Sequence, residues 1–467
     1  MRIIAKQALV RVLFFIFAFS SSSVLGNVSV TELSIEREFS GQGDSKLLIS
    51  LKGSGFGLKQ NAPPLLWVFG ADVREKGVSV SGLDYKVGQP LASNGTKVWG
   101  RIDQSVTISD VVRYPGLDHS YFVGNSGTIG SPYVFGGDNP PYSDRIYFSF
   151  RVKPVEAWHN FRSSEFSSLS GVFSTGFSRY EAGEKIVLQS KFDGSKTFGR
   201  IIYLDPVTKY VTFETDENWG REQLQNASVF GVKSGAYMTL NTDKHYAFST
   251  GSKYFRMWSG GKPGLYNTFS TNRLIVGYRD DFGNVIAVPQ TEDGQKDLGY
   301  GVPDVTEKLE WRLVESFIDQ SGTDIKVYLD IDNESRRYLN NLVVSDGAKY
   351  KDRSPTISQL GLDAAGGTEM IDAALYFGEI YFDNSPMRIM ISNSKTYSDS
   401  GAELEIQFPL VWKEDFLQFE FRRGGLNTSD DLYMYIFDAD SRPNENGIPL
   451  CIDCKLAAPA SVELLVE

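Results

Sequence analysis

The chain has little cysteine and little histidine, with two cysteines and three histidines among 467 residues. Cys451 and Cys454 stand near the C-terminus as Cys-Ile-Asp-Cys, so a framework of several disulfides is excluded. In an exported chain we expect the two to form one local disulfide that pins a chain end. A thioredoxin-type redox site is the alternative, but the strand-then-helix setting that it needs is missing. A zinc site would need two further ligands, and the histidines are distant in sequence.

Long apolar runs are also missing. The apolar stretch at residues 12–19 is far shorter than the roughly 20 residues that cross a bilayer, which argues against an anchor. Basic residues precede it and small residues follow it up to Gly26, as in a secretory signal peptide. We therefore expect residues 1–26 to be removed, and the mature protein to be periplasmic or extracellular with no membrane span.

Positive charge is in deficit, since the formal net charge is −11. An acidic protein repels phosphate backbones, which argues against nucleic acid as a partner. The charge suits a soluble exported protein but does not identify what it binds.

Period-two alternation of apolar and polar residues is the dominant pattern. It is clear at residues 146–153, 309–313, 325–332 and 403–408. Such alternation is typical of strands with one face on a core and the other in solvent. With 45 glycines and 18 prolines placed between these runs, the sequence predicts an all-β fold built from sandwiches. Two irregular, glycine-containing segments, 124–143 and 259–303, are predicted to be surface loops.

The two ends of the chain together resemble a small immunoglobulin-like domain of the TIG/IPT type. Leu-Leu-Ile-Ser-Leu-Lys-Gly-Ser-Gly-Phe-Gly at 47–57 is similar to its first strand and turn, where glycine permits a tight bend. Later segments supply the remaining strand patterns, at residues 387–391, 405–412, 417–421 and 432–437. The alternative is two separate sandwiches, but residues 28–62 hold too little apolar surface to fold alone. The resemblance implies one discontinuous domain, formed by residues 27–62 and 386–467.

The interior, residues 63–385, resembles the concanavalin A-like lectin/glucanase jelly roll, a family close to laminin-G (LamG-like) modules. The likeness depends on a hairpin pattern at 311–317 and 324–330, a closing strand pattern at 377–383, and earlier strand patterns at 146–153 and 254–258. It implies a sandwich with a concave face that often binds glycans. The termini of such a sandwich lie close together, which allows insertion into a loop of another domain.

On this resemblance, residues 254–258 are the main candidate for ligand binding. Alternation would place Tyr254, Arg256 and Trp258 on one face, and Phe255 and Met257 on the core. Aromatic faces stack on sugar rings, and a neighbouring cation or polar group can bind hydroxyls. The alternative is that Trp258 fills the core between two sheets. Weaker candidates are Trp158, His159, Trp219 and Tyr266.

No complete catalytic signature is present. Glucanases of this fold carry paired carboxylates on one strand, and the nearest cluster here is Asp-Ile-Asp-Asn-Glu at 330–334. Its order differs from the family motif, and we interpret it as a solvated turn. Glu315 and Glu379 remain as isolated strand carboxylates. Residues 254–260 faintly resemble one strand motif of alginate-type polysaccharide lyases. The Arg-rich strand and the Gln-x-His strand of those enzymes are missing from this sequence, although His245 and Tyr246 could take the place of the missing catalytic residues.

The expected function is therefore non-catalytic binding of a polysaccharide, a glycoconjugate or a cell-surface protein, through the concave face and the segment 259–303. The alternatives are a jelly-roll polysaccharide lyase or glycoside hydrolase, and a structural or adhesive surface component. No cofactor is expected. Calcium is a minor hypothesis, with possible ligands at residues 280–284 and at Asp438 and Asp440.

Overall fold

The structure is a computed structural model of the chain. It describes residues 12–15, 28–39, 45–81, 85–91, 106–123, 145–155, 159–160, 169–173, 180–205, 210–215, 223, 226–241, 247–248, 253–258, 264–270, 273–279, 285–287, 299–301, 310–319, 321, 324–333, 337–343, 356–363, 375–401, 403–427, 431–450 and 452.

The strands are numbered in chain order. The first nine are β1 (Val12–Phe15), β2 (Ser29–Phe39), β3 (Ser45–Ser54), β4 (Leu66–Phe69), β5 (Asp72–Glu75), β6 (Val78–Ser79), β7 (Val106–Ser109), β8 (Ser120–Val123) and β9 (Arg145–Pro154). The next eight are β10 (His159–Asn160), β11 (Leu169–Phe173), β12 (Lys185–Gln189), β13 (Lys196–Asp205), β14 (Tyr210–Thr215), β15 (Ser228–Gly231), β16 (Tyr237–Asn241) and β17 (Ala247–Phe248). Then follow β18 (Lys253–Trp258), β19 (Gly264–Ser270), β20 (Arg273–Arg279), β21 (Val285–Ala287), β22 (Gly299–Gly301), β23 (Arg312–Asp319), β24 (Asp324–Ile331), β25 (Arg337–Val343), β26 (Thr356–Asp363) and β27 (Leu375–Asp383). The last are β28 (Ile389–Ser392), β29 (Glu405–Ile406), β30 (Phe408–Trp412), β31 (Phe416–Glu420), β32 (Leu432–Ile436) and β33 (Ile448–Leu450), with a 3₁₀ turn at Tyr397–Asp399.

The predicted all-β class is confirmed. The described residues form several sheets whose strands pair antiparallel, apart from the short parallel pair of β10 and β17. The chain divides into two compact units, the first formed by residues 1–63 and 385–467, the second by residues 64–384.

Unit 1 joins segments from both ends of the chain in one core. Its first sheet has the order β1-β2-β3-β31-β30, and its second has the order β29-β28-β32-β33. Ile49 of β3 lies opposite Phe419 of β31, and both are fully buried in one cluster with Ile389 and Ile436. The expected sharing of a core by the first strands and the last hairpins is therefore observed.

The glycine-rich bend after β3 is also observed. Gly55 and Gly57 have φ angles of 81° and 71°, in the left-handed region that favours glycine. Between them, Phe56 is buried in the core of unit 1 and its carbonyl oxygen accepts a hydrogen bond from the Trp412 indole at 3.1 Å. Because the bend is hydrogen-bonded to β30 and to the turn after it, it ties the N-terminal segment to the C-terminal one.

Unit 2 contains two larger sheets and a barrel. One sheet has the order β25-β24-β23-β9-β27-β4-β5-β6, and the other has the order β21-β20-β19-β18-β26. Phe255 of β18 stacks on Phe148 of β9 with ring centroids 5.0 Å apart, and it also meets Phe150. The two sheets therefore pack face to face at this point, with the apolar face of β9 between them.

The loop prediction for residues 259–303 is wrong. This segment contains β19, β20, β21 and β22, and all four belong to the sheet of β18. Three of its glycines, Gly264, Gly299 and Gly301, stand at strand ends, where glycine does not weaken a strand. The other predicted loop, residues 124–143, lies outside the described residues.

The barrel was not anticipated from the sequence. Strands β11, β14, β13, β12, β15 and β16 pair in that order, and β16 closes on β11. Among the residues that the structure describes, ten buried ones form a core inside it: Tyr180, Ile186, Leu188, Ile201, Phe213, Ala227, Val229, Ala236, Met238 and Leu240. Because these side chains fill the interior, the surface that the barrel offers to a ligand is its outer face.

Candidate functional site

Three exposed aromatic residues lie in line on the outer face of the barrel. Phe198 of β13, Phe230 of β15 and Tyr237 of β16 are 62%, 38% and 45% exposed. The half-buried Val187 of β12 lies between the first two. We call these four residues the aromatic row. Large apolar side chains exposed as a contiguous group mark interaction surfaces, whereas scattered ones do not.

Strand register produces this alignment. Val187 is the cross-strand partner of both Phe198 and Phe230, and Phe230 is the partner of Tyr237. Residues that are direct partners point to the same face of a sheet, so the four side chains form one line across β13, β12, β15 and β16. With strands about 4.8 Å apart, the row extends over roughly 14 Å along the barrel surface.

At the β15–β16 end of the aromatic row, Phe230 and Tyr237 form a packed pair of rings. The rings of Phe230 and Tyr237 have centroids 5.0 Å apart and planes inclined by 52°. The Tyr237 hydroxyl lies 3.1 Å from the Ser228 hydroxyl. This hydrogen bond, with a further one from Thr239 and the charge of Lys191, lowers the pKa of Tyr237 from its ordinary value. These hydrogen bonds hold the Tyr237 ring in place, with its hydroxyl beside those of Ser228 and Thr239.

Glu184 fixes the hairpin that carries Phe230 and Tyr237. Its carboxylate accepts hydrogen bonds from the backbone N–H groups of Lys233 at 2.9 Å and Ser234 at 2.6 Å, both in the turn between β15 and β16. Burial acts to raise the pKa of Glu184, but the hydrogen bonds from Ser234, Glu181 and Lys233 together lower it below its ordinary value. The ionised carboxylate is thus the form that stabilises the turn.

We expect Glu184→Gln to loosen this turn by about 1 kcal/mol, because an amide accepts less well than a carboxylate and brings its own N–H₂ group. Amide exchange at residues 233–235 should speed up at neutral pH, while exchange in β13 stays unchanged. Because the pKa of Glu184 is lowered on folding, its contribution is present above the unfolded pKa of about 4.3 and is lost as pH falls through the folded value. Wild-type exchange at these amides should therefore approach that of the variant in acid. Unchanged exchange in the variant would contradict this role.

Positive charges flank the aromatic row on both sides. Along the strands, Lys196 and Arg200 stand two residues before and after Phe198, and Lys185 stands two residues before Val187. Lys185 and Arg200 are cross-strand partners, and all three of these cations are exposed. Lys196 lies opposite Gln189, whose other partner is Ser228. The row is therefore bordered by polar and cationic side chains at about 7 Å, two residues along a strand.

Three acidic side chains near this face are engaged by partners of their own, while Glu214 of β14 lies opposite Arg200. Glu181 pairs with Lys233 at 2.6 Å, and Glu184 holds the turn described above. Asp193 accepts hydrogen bonds from the backbone and hydroxyl of Ser195 in the β12–β13 hairpin. The tip of that hairpin also presents Phe192, which is 66% exposed.

The residues proposed from the sequence at 254–258 lie on β18, in the sheet that faces β9. Phe255 is buried against Phe148, as predicted for a core position. Trp258 and Tyr266 are direct backbone partners on β18 and β19. The backbone register of β18 shifts between Lys253 and Phe255. A ligand role for Tyr254, Arg256, Trp258 and Tyr266 stays a prediction.

Several other proposed residues fall outside the described residues: Trp158, Trp219, His245, Tyr246, Cys451, Cys454 and positions 280–284. His159 belongs to the two-residue strand β10. At the second proposed calcium site, one Asp438 oxygen accepts the N–H groups of Asp440 and Arg442 and so closes a turn. In the described parts of the chain, no group of three or more acidic, histidine or cysteine residues could hold a metal ion.

The interpretation of residues 330–334 as a solvated turn is wrong for its two aspartates. Asp330 belongs to β24 and is fully buried, directly opposite the buried Glu315 of β23. Asp332 follows the strand, pairs with Arg312 and accepts the Leu313 N–H at 2.6 Å. Burial raises the pKa of Asp332 above its ordinary value, although Arg312 opposes the shift.

Glu315 and Glu379 are buried as well. The Tyr147 hydroxyl donates a hydrogen bond to Glu315, and Ser149 lies opposite Glu315 on β9. Glu379 forms a two-point ion pair with Arg113. These carboxylates are therefore held inside unit 2 by their own partners, whereas the aromatic row meets solvent.

Exposed apolar residues at alternating positions were the signal that could have located the row. Phe198 and Phe230 lie on the side of their strands that the buried Ile201 and Val229 do not occupy. The sequence does not show which strands are neighbours, so it could not show that these residues align.

No protein-family model matches this chain, and no curated protein matches its sequence significantly. Within the described residues, no helix is both long enough and apolar enough to cross a membrane.

Proposed function

We propose that this protein is an exported, non-catalytic glycan-binding protein, and that it binds its ligand on the aromatic row of the barrel. The observation that carries the proposal is the alignment of Phe198, Phe230 and Tyr237 on one exposed face.

A glycan fits this surface because each sugar ring combines an apolar C–H face with polar hydroxyl groups at its edge. The C–H faces of sugar rings pack against aromatic faces, while their hydroxyls need hydrogen-bonding partners at the edge. A row of roughly 14 Å accommodates two or three consecutive rings. The half-buried Gln189 and Thr239 lie on either side of Ser228 through their cross-strand pairing, and these two side chains can bind the hydroxyls.

Binding is favoured over hydrolysis or elimination by the positions of the carboxylates. Acid–base catalysis requires carboxyl groups within hydrogen-bond reach of the substrate. Glu315, Asp330 and Glu379 are all at most 5% exposed. The carboxylates near the row, Glu181, Glu184 and Asp193, are committed to a lysine or to turns.

The finer fold assignment and the export are also proposals. We infer that unit 2 is a jelly roll of the concanavalin A-like kind that carries the barrel, and that unit 1 is a TIG-like sandwich. The facing of β9 and β18 supports the first, and the core shared by β3 and β31 supports the second. If residues 1–26 are a signal peptide, β1 is lost on export and β2 becomes the edge of its sheet. Mass spectrometry of the exported protein should give Asn27 as the first residue.

The test is glycan binding by variants of the row. Phe198→Ala and Phe230→Ala should each weaken binding about fivefold, and the double variant roughly 30-fold, because each ring contributes about 1 kcal/mol of stacking. A glycan array followed by calorimetry on the best ligand gives these values, and circular dichroism checks that the fold persists.

The matched control is Leu58→Ala/Val78→Ala, which removes two apolar side chains that are more exposed but lie outside the barrel. We expect this control to bind like wild type. If no glycan binds, or if the row variants bind as wild type does, the proposal fails. A ligand that is cleaved or unsaturated after incubation would favour the enzymatic alternative.

A further inference from the structure

The charge pattern around the aromatic row narrows the class of ligand. This inference rests on the proposed function and concerns the same surface. We propose that the row binds an acidic glycan, one that carries carboxylate or sulfate groups on its sugar rings.

The first observation is the contrast between this face and the whole chain. The formal net charge is −11, yet three exposed lysines, Lys185, Lys191 and Lys196, lie beside the row, and so does Arg200, which has Glu214 of β14 opposite it. Within the described residues, Lys185, Lys191 and Lys196 form no ion pair. Cations that neutralise no neighbouring carboxylate are available to a charged ligand.

The second observation is the placement of these charges relative to the rings. Lys196 lies on one side of the row, and Lys185 with Arg200 lies on the other, each about two residues along its strand. A sugar chain stacked along the row would project its ring substituents towards both borders. Carboxylate or sulfate groups on alternate sides would then come within reach of an ammonium or guanidinium group.

The third observation is that three carboxylates near the row are held by partners of their own, while a fourth, Glu214 of β14, lies opposite Arg200 and away from Lys185 and Lys196. Glu181 is neutralised by Lys233, and the carboxylates of Glu184 and Asp193 accept hydrogen bonds from their own turns. An acidic ligand would therefore meet attraction at the row while the rest of this acidic protein repels it, which concentrates binding at one surface.

Single-stranded nucleic acid is the competing polyanion, because it also combines flat rings with a charged chain. The acidic glycan is favoured because it carries its charge on the stacking rings themselves, beside the row. A nucleic acid carries its charge on a separate backbone, which would extend over the acidic remainder of the protein.

The experiment uses the full mature protein and three probes of matched length: a neutral oligosaccharide, an oligouronate and a sulfated oligosaccharide. We expect the better acidic probe to bind roughly tenfold more tightly than the neutral one at low salt, since two or three surface cations contribute. The preference should shrink as salt rises towards about 0.5 M, because screening acts on exposed charges. The two acidic arms identify which anionic group is recognised.

The decisive variant is Lys185→Gln/Lys196→Gln. It should abolish most of the preference for the acidic probe, because it weakens binding of the acidic probe far more than binding of the neutral one. The control is Lys395→Gln/Lys413→Gln, which makes the same change in net charge at two exposed lysines of unit 1. The control should keep the preference.

Equal affinity for neutral and acidic probes, or an equal loss in both double variants, would overturn this inference and leave the proposed function standing. Binding of no glycan of any class would overturn both. Tighter binding of an oligothymidylate than of every glycan would also overturn both, and would identify the row as a nucleic-acid surface.

Discussion

Replacing Phe419 by alanine will lower the free energy of unfolding of unit 1 by about 3–5 kcal/mol, the usual cost of a Phe→Ala cavity in a packed core. Phe419 has no exposed surface and lies in a cluster drawn from both ends of the chain. Its direct cross-strand partner is Ile49, so the cavity would open between a strand of the first segment and a strand of the last. A loss of this size is a large share of the stability of an ordinary domain.

Hydrogen exchange measured by mass spectrometry checks this prediction, because it resolves the two segments separately. Exchange should accelerate in residues 45–54 and 416–420 together, since their pairing is one cooperative element. Leu410→Ala is the control, because this side chain in the neighbouring β30 is 36% exposed and its removal should cost within about 0.5 kcal/mol. Acceleration in 416–420 alone would show that the N-terminal strand is stable without its partner.

Replacing Glu379 by alanine will destabilise unit 2 by a similar amount, about 3–5 kcal/mol, because it removes the carboxylate that compensates the largely buried charge of Arg113. The guanidinium of Arg113 contacts both oxygens of Glu379, at 2.7 and 2.6 Å. The two side chains are only 11% and 4% exposed. Glu379 also has a φ angle of 50°, at an irregularity in the pairing of β27 with β9. The ion pair therefore lies where the strand departs from regular geometry.

The matched comparison is a double variant, Arg113→Met/Glu379→Leu. Because it removes both charges together, it should recover a large part of the stability that Glu379→Ala loses. Urea denaturation of wild type, Arg113→Met, Glu379→Leu and the double variant, with the midpoint and slope compared across the four proteins, gives the coupling energy. If the double variant is as unstable as the sum of its parts, the pair acts through packing, and uncompensated charge is not the cause.

The sequence predicted the strands well wherever alternation was strict. Residues 146–153 fall on β9, and residues 325–331 of the second pattern fall on β24, as their alternation indicated. The pattern was less informative at residues 259–303, where glycines suggested loops and the structure has four strands. Glycine weakens a strand locally, but pairing with a neighbour on each side can outweigh that cost.

The burial of Asp330 and Asp332 illustrates a second limit of prediction from the sequence. From the sequence, a cluster of acidic residues after a strand indicates a turn in water, because an isolated buried carboxylate is costly. The cost falls when partners from other strands are present, as Arg312 is for Asp332. Such partners are far away in sequence, so the burial could not be predicted from the local pattern.

By itself, the sequence determined that this protein is made of strands and which face of many strands is apolar, because alternation is a local property of consecutive residues. It also indicated that the first strands and the last hairpins belong to one core, since residues 28–62 have too little apolar surface alone, and Ile49 and Phe419 do share that core. Only the tertiary structure decided that six short strands close into a barrel, and that Phe198, Phe230 and Tyr237 align on its surface. Strands pair through backbone hydrogen bonds that are the same for every residue, so the choice of neighbours and register depends on how the whole chain packs.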